Sequence, residues 1–244
     1  MPSIKVIPAE AGPELLRDSL LRLREPFKCG EKLVPAVPPE ALGDPAFLKD
    51  HGLKFAYATG AMANGIASED LVEAVAKAGM LGFFGSAGLP LERVAAAIDR
   101  LQGSLGDSPH GFNLIHSPNE SDLEAAVVDL FIRKGVRLVE ASAYLALTPH
   151  IVRYRLHGIR RAPDGPVLTP NRVIAKASRV EVARKFFSPA PENILQELVA
   201  KGQLSPEQAE LAGEIPIAQD VTAEADSGGH TDNRPLVTML PSFM

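Results

Sequence analysis

From about residue 54 onward, short apolar runs alternate with stretches whose apolar residues recur at helical spacing, and glycine or proline separates nearly every pair. Lys54 to Thr59 is a β-prone run ending at Gly60. Ser68 then caps a helix from Glu69 to Ala78, which stops at Gly79. Met80 to Phe84 forms a second strand. Pro90 opens a helix to Leu101 with Val94, Ile98 and Leu101 on one stripe. Phe112 to His116 is the third strand, and Asn119 caps a helix whose Leu123, Ala126, Val127, Leu130 and Phe131 keep the same period. After Gly135, Val136 to Ala141 is strand four, followed by a helix at about Thr148 to Leu156. Arg161 to Pro170 is a turn around Asp164-Gly165. Arg172 to Ala177 and Asp220 to Ala225 complete six strands. Between them, breaks at Ser188-Pro189-Ala190-Pro191 and at Gly202 predict a helix and then an inserted helical hairpin, at about 189–214.

Strands alternating with helices specify a parallel α/β architecture, either an open doubly wound sheet or a barrel. Small and polar residues follow nearly every strand: Gly60 to Asn64, Gly85-Ser86, His116-Ser117, Ser142, Lys176 to Ser178 and Asp226 to His230. A barrel gathers such strand ends at one mouth, whereas an open sheet concentrates its ligand residues at one switch point. The spread over all six ends favours a (β/α)₈ TIM barrel. Only six β/α units are visible, and six strands leave unpaired edges. The expectation is therefore a barrel truncated after about six units.

The first 50 residues are rich in proline, including Val34-Pro35-Ala36-Val37-Pro38-Pro39, which prevents continuous helix or central strand. They read as an accessory segment lying against residues 51–244, which hold the partial barrel. No apolar run approaches the length of a membrane helix, and the start lacks a signal-peptide pattern, so a cytoplasmic location is expected. The single Cys29 excludes an internal disulfide. A net charge of −5 argues against a nucleic-acid partner. Arg153, Arg155, Arg160 and Arg161 are the one basic cluster, read as a solvated helix end or as a docking patch for something acidic.

Neither G-x-G-x-x-G nor a P-loop is present, and Gly82 to Gly88 has the wrong spacing for either. The six histidines are scattered, so no metal site is expected. Four stretches could carry chemistry. In Gly60-Ala61-Met62-Ala63-Asn64-Gly65 the small residues let backbone amides lie against a planar ring, or simply make a tight turn. Asn113 interrupts an apolar strand, and its amide must bond either a ligand or a neighbouring strand. Lys176 closes an apolar strand and either meets negative charge or snorkels to solvent. In Glu224-Ala225-Asp226-Ser227-Gly228-Gly229-His230 two glycines allow a sharp turn that presents a histidine, the side chain best suited to donate a proton near neutral pH.

Together GAMANGIAS, GFNLIHSPNE, VRLVEASAYL, NRVIAKASR and EADSGGHTDNRP resemble the PfaD family, the trans-acting enoyl reductases of polyunsaturated fatty acid and polyketide synthases. FabK-type enoyl reductases and nitronate monooxygenases form the wider group. The resemblance implies an FMN-dependent barrel of the nitronate monooxygenase-like type. It also implies NAD(P)H as co-substrate and enoyl thioesters on acyl carrier protein as substrate. It places Ala61, Met62, Ala63, Asn64, Asn113, Lys176, Gly228 and Gly229 at the flavin, and makes His230 the catalytic histidine with Asp226 as its acidic neighbour. The relatives usually begin that turn with Glu, so Asp226 is a departure, shorter by one methylene. A homodimer is compatible with this reading, which does not fix the oligomeric state. The alternatives are a nitronate monooxygenase, or an inactive fragment or scaffold subunit of such a synthase.

Overall fold

A computed structural model describes residues 24–29, 32–224 and 235–244. A short antiparallel pair, β1 (Phe27–Cys29) and β2 (Lys32–Val34), leads into α1 (Pro45–His51). The repeating units follow: β3 (Ala58–Thr59), α2 (Glu69–Lys77), β4 (Leu81–Phe84), α3 (Leu91–Leu105), β5 (His110–Ile115), α4 (Ser121–Lys134), β6 (Leu138–Ser142) and α5 (Pro149–Leu156). A small hairpin, β7 (Arg160–Arg161) with β8 (Val167–Leu168), precedes β9 (Arg172–Ala177). After β9 come three helices, α6 (Val180–Phe186), α7 (Glu192–Ala200) and α8 (Pro206–Leu211), and then β10 (Asp220–Ala223) and α9 (Leu236–Phe243).

Six strands form one parallel sheet in the order β3-β4-β5-β6-β9-β10. The order runs one way with no reversal. Right-handed crossovers in one direction place the helices that connect these strands on the same side of the sheet. This is the arc of a (β/α)₈ barrel, and a doubly wound sheet, which reverses at a switch point, is excluded.

The strand residues divide accordingly. Phe84, Phe112, Leu114, Val139, Ala141, Val173 and Ala175 join the large core beneath the helices. Alternate positions Leu81, Phe83, Leu138 and Ile174 form a second, smaller cluster on the opposite, concave face, where Phe47 of α1 and Leu53 pack against them. His51 Nε2 bonds Asp220 Oδ2 at 2.8 Å, so α1 also reaches across to β10.

The predicted boundaries shift in places. Ser68 caps α2 as expected, accepting from the Leu71 amide. Asn119 does not cap α4: Glu120 holds that position and makes no side-chain cap bond. Pro90 sits one residue before α3, which runs on to Leu105 because Leu105 extends the buried stripe one turn past Leu101. The turn at Asp164-Gly165 is tightened into the β7–β8 hairpin, where the Ala162 amide donates to the Pro166 carbonyl at 2.8 Å.

Three arginines of the basic cluster are held by partners within the fold. Arg155 is buried, donating to Thr169 Oγ1, to the Asn171 carbonyl and to the Pro216 carbonyl, while Arg153 pairs with Asp129 and Arg161 with Glu214.

Candidate functional site

Above the apolar layer of the concave face lies a polar one, at the C-terminal ends of the strands. Asn113 on β5, Glu140 and Ser142 on β6, Lys176 on β9 and Glu224 just past β10 contribute to it. Strand register sets this grouping: Asn113 pairs with Glu140, and Glu140 with Ile174 one step below Lys176.

Lys176 Nζ lies 2.9 Å from Glu224 Oε1 and 4.0 Å from Glu140 Oε1. It therefore meets negative charge from its own chain. Glu140 is buried, and its Oε2 accepts the Ala61 amide at 2.9 Å. Burial pushes its carboxyl above the usual range, and the charge of Glu224 adds to this. Lys176 and the Ala61 amide pull it back only in part.

Asn113 is buried and finds its partners on the next strand. Its Nδ2 donates to Ser142 Oγ at 2.6 Å and to the Glu140 carbonyl at 3.1 Å. A carbonyl can only accept, so the amide nitrogen must face it, and Oδ1 is left to accept from elsewhere.

The β3–α2 segment crosses this mouth. The Ala61 amide is committed to Glu140, and the Asn64 amide donates to the Ala87 carbonyl at 2.8 Å. Asn64 holds φ +57°, a left-handed conformation that asparagine tolerates better than most residues. The Met62 and Ala63 amides donate to no acceptor among the described residues, and both residues are exposed. Gly85 makes the crossing feasible, since a Cβ there would lie 1.6 Å from the Met62 carbonyl oxygen.

These groups fit a flavin ring edge. The Met62 and Ala63 amides would offer two backbone donors, Asn113 Oδ1 an acceptor and Lys176 a cation fixed by two carboxylates. Gly60 lies next to the same pair: a Cβ there would be in ordinary contact with Glu140 Oε1 at 3.5 Å and Lys176 Nζ at 3.9 Å. Asp226, Gly228, Gly229 and His230 lie outside the described residues.

Contacts through Glu140 link Ala61, Asn113 and Lys176, whereas Met62 and Asn64 sit against Gly85 and Ala87 in the loop after β4. The structure adds Glu140 and Glu224, to which the sequence reading gave no role. A carboxylate inside the apolar run Val136-Arg137-Leu138-Val139-Glu140-Ala141 carries the same signal that singled out Lys176.

A sequential arc of parallel strands with a buried acid–lysine–acid cluster at its C-terminal mouth defines part of a (β/α) barrel of the TIM class. No family model matches the chain. A polyunsaturated fatty acid synthase component of Thraustochytrium sp. is 52% identical over 200 residues, 82% of this chain and 13% of that protein. The polyketide biosynthesis protein PksE of Bacillus subtilis is 46% identical over 205 residues, 84% of this chain and 27% of that protein. The crystal structure of the enoyl reductase domain of MlnA, from the macrolactin biosynthesis cluster of Bacillus amyloliquefaciens, superposes with a TM-score of 0.80 at 40% identity, over 84% of this chain and 46% of that one. With these segments of synthase and polyketide proteins, the chain belongs to the PfaD family. It spans less than half the length of each of these relatives.

Proposed function

We propose that this chain forms part of an FMN-dependent, trans-acting enoyl reductase that reduces enoyl thioesters on acyl carrier protein with NAD(P)H, in polyunsaturated fatty acid or polyketide synthesis. The observation that carries this reading is the buried Glu140–Lys176–Glu224 cluster under the Gly60 to Asn64 segment. The similarity to the MlnA enoyl reductase domain supports it.

Bound FMN would supply the hydride, drawn from NAD(P)H, and the protein supplies position and electrostatics. The Met62 and Ala63 amides and the Asn113 side chain would orient the ring edge. Lys176 would hold positive charge there, itself fixed by two carboxylates. Gly228 and Gly229 would let the chain approach the cofactor closely. His230 would protonate the α-carbon of the enoyl thioester, with Asp226 orienting the imidazole.

General acid catalysis contributes roughly 10²–10⁴-fold. His230→Ala should therefore lower enoyl-thioester reduction by about that factor while flavin absorbance is kept. Unchanged reduction in that variant would remove His230 from the mechanism. Loss of flavin absorbance instead would assign it to cofactor binding.

A further inference from the structure

A second polar cluster lies beside this site, behind the loops that follow β4 and β5, and the cavity it faces is also lined by Asn113. Glu124, in the first turn of α4, is 3% exposed. Its Oε1 accepts from Tyr144 Oη at 3.0 Å and from Thr148 Oγ1 at 2.5 Å, and its Oε2 lies 2.8 Å from His116 Nδ1. Tyr144 also stacks on the His116 ring, centroids 5.2 Å apart and planes 27° from parallel.

With the Glu124 carboxyl oxygen as acceptor, His116 Nδ1 is the donor of this pair. A buried acid, a stacked ring and two hydroxyls thus fix both the orientation and the tautomer of one imidazole. Nε2 bonds nothing among the described residues, and the ring lines a cavity of about 580 Å³ between the β4–α3 and β5–α4 loops. That volume lies within the range of small-molecule sites.

The cavity wall selects its occupant. Leu89, Leu114, Leu123 and Val127 make it largely apolar, and no lysine or arginine among the described residues lines it, while Glu120 and Glu124 do. Phosphate groups, and so a nicotinamide dinucleotide, would find no side-chain counter-charge among the described residues that line it. A bare hydrocarbon chain would leave the Nε2 acceptor unpaired, at a cost. An uncharged chain of methylenes carrying amide and hydroxyl donors satisfies both surfaces.

We infer that this cavity receives the pantetheine arm of the carrier-bound thioester, with His116 accepting one of its N–H or O–H groups. The inference rests on the carrier-protein substrate proposed above. It makes His116 a substrate-positioning residue distinct from His230.

The direct test is a nuclear magnetic resonance titration of the 244-residue chain, with its histidine rings isotopically labelled, using pantetheine as the probe. His116→Gln identifies the resonance by its loss. The expected result is a saturable shift of the His116 ring. Leu123→Trp, a change at an exposed rim position that spares the core, should weaken that binding at least tenfold.

No saturable shift, a shift unaltered by Leu123→Trp, or an equal shift with NADPH or decanoate would overturn the inference. The titration uses neither flavin nor an enoyl group. A chain that reduces enoyl thioesters without the pantetheine shift therefore loses this inference alone. One that shows the shift but reduces no enoyl thioester loses the reductase reading alone.

Discussion

Glu140 accepts the backbone amide of Ala61 at 2.9 Å, a bond between residues 79 positions apart that ties β6 to the segment crossing the barrel mouth. The same carboxyl lies beside Lys176. Glu140→Ala removes both interactions, and a hydrogen bond to a charged group is worth about 1.5–3 kcal/mol. Denaturant melts should show a loss of that order, with Glu140→Gln recovering part of it because the amide oxygen can still accept from Ala61. The pH dependence has a fixed sign. Since burial raises the folded carboxyl above its unfolded value, its contribution is fully present below the ordinary glutamate range and is lost as pH rises through the folded value. The stability difference between wild type and Glu140→Gln should therefore fall as pH rises across that window. A flat difference would mean that the carboxyl is not shifted.

Gly85 is required by sterics, because a Cβ would sit 1.6 Å from the Met62 carbonyl oxygen and the obstacle is backbone. Gly85→Ala should cost about 3 kcal/mol or more, beyond the ordinary cost of overpacking, measured by denaturant unfolding. A change within about 0.5 kcal/mol, the range of an ordinary surface substitution, would show that the β3–α2 segment can move away.

Tyr144 and Tyr154 are two of the chain's three tyrosines, both fully enclosed. Burial pushes both phenols up, and Glu124 adds to the shift at Tyr144. Their stabilising contribution is complete below the unfolded tyrosine value and is lost as pH rises above it. Alkaline spectrophotometric titration should show these two ionising only together with unfolding. Reversible ionisation of both in the folded chain would contradict this.

Arg155 bridges α5 to the start of β9 and to the Pro216 carbonyl ahead of β10. Burial pulls its guanidinium down to about 10, which leaves it charged at neutral pH. Its fork serves three acceptors that a lysine cannot reach together. Arg155→Met should destabilise by about 2–3 kcal/mol, and Arg155→Lys should restore less than half of that in thermal melts.

The six strands and their crossovers were legible because each apolar run stops at a glycine, a serine or a polar residue, and because the helical stripes keep one period. Lys176 and Asn113 stood out as polar residues in apolar strands. Their partners did not, since register decides that Asn113 meets Glu140 and Ser142, and strand register is a long-range property. His116 was visible, but its contact with Glu124 depends on how α4 folds back over β5. Asn119 looked like a helix cap by residue type, whereas the helix begins two residues later. Asp226 to His230 lie outside the described residues, and it was their glycine pair and histidine, together with the family resemblance, that singled them out.

Enoyl reduction itself is measured by steady-state oxidation of NAD(P)H by FMN-loaded protein carrying this chain, with a crotonyl thioester as the acceptor. The account predicts saturable oxidation that requires the enoyl thioester, one double bond reduced for each NAD(P)H consumed. No enoyl-dependent oxidation, together with oxygen uptake driven by a nitronate, would contradict it and identify a monooxygenase instead.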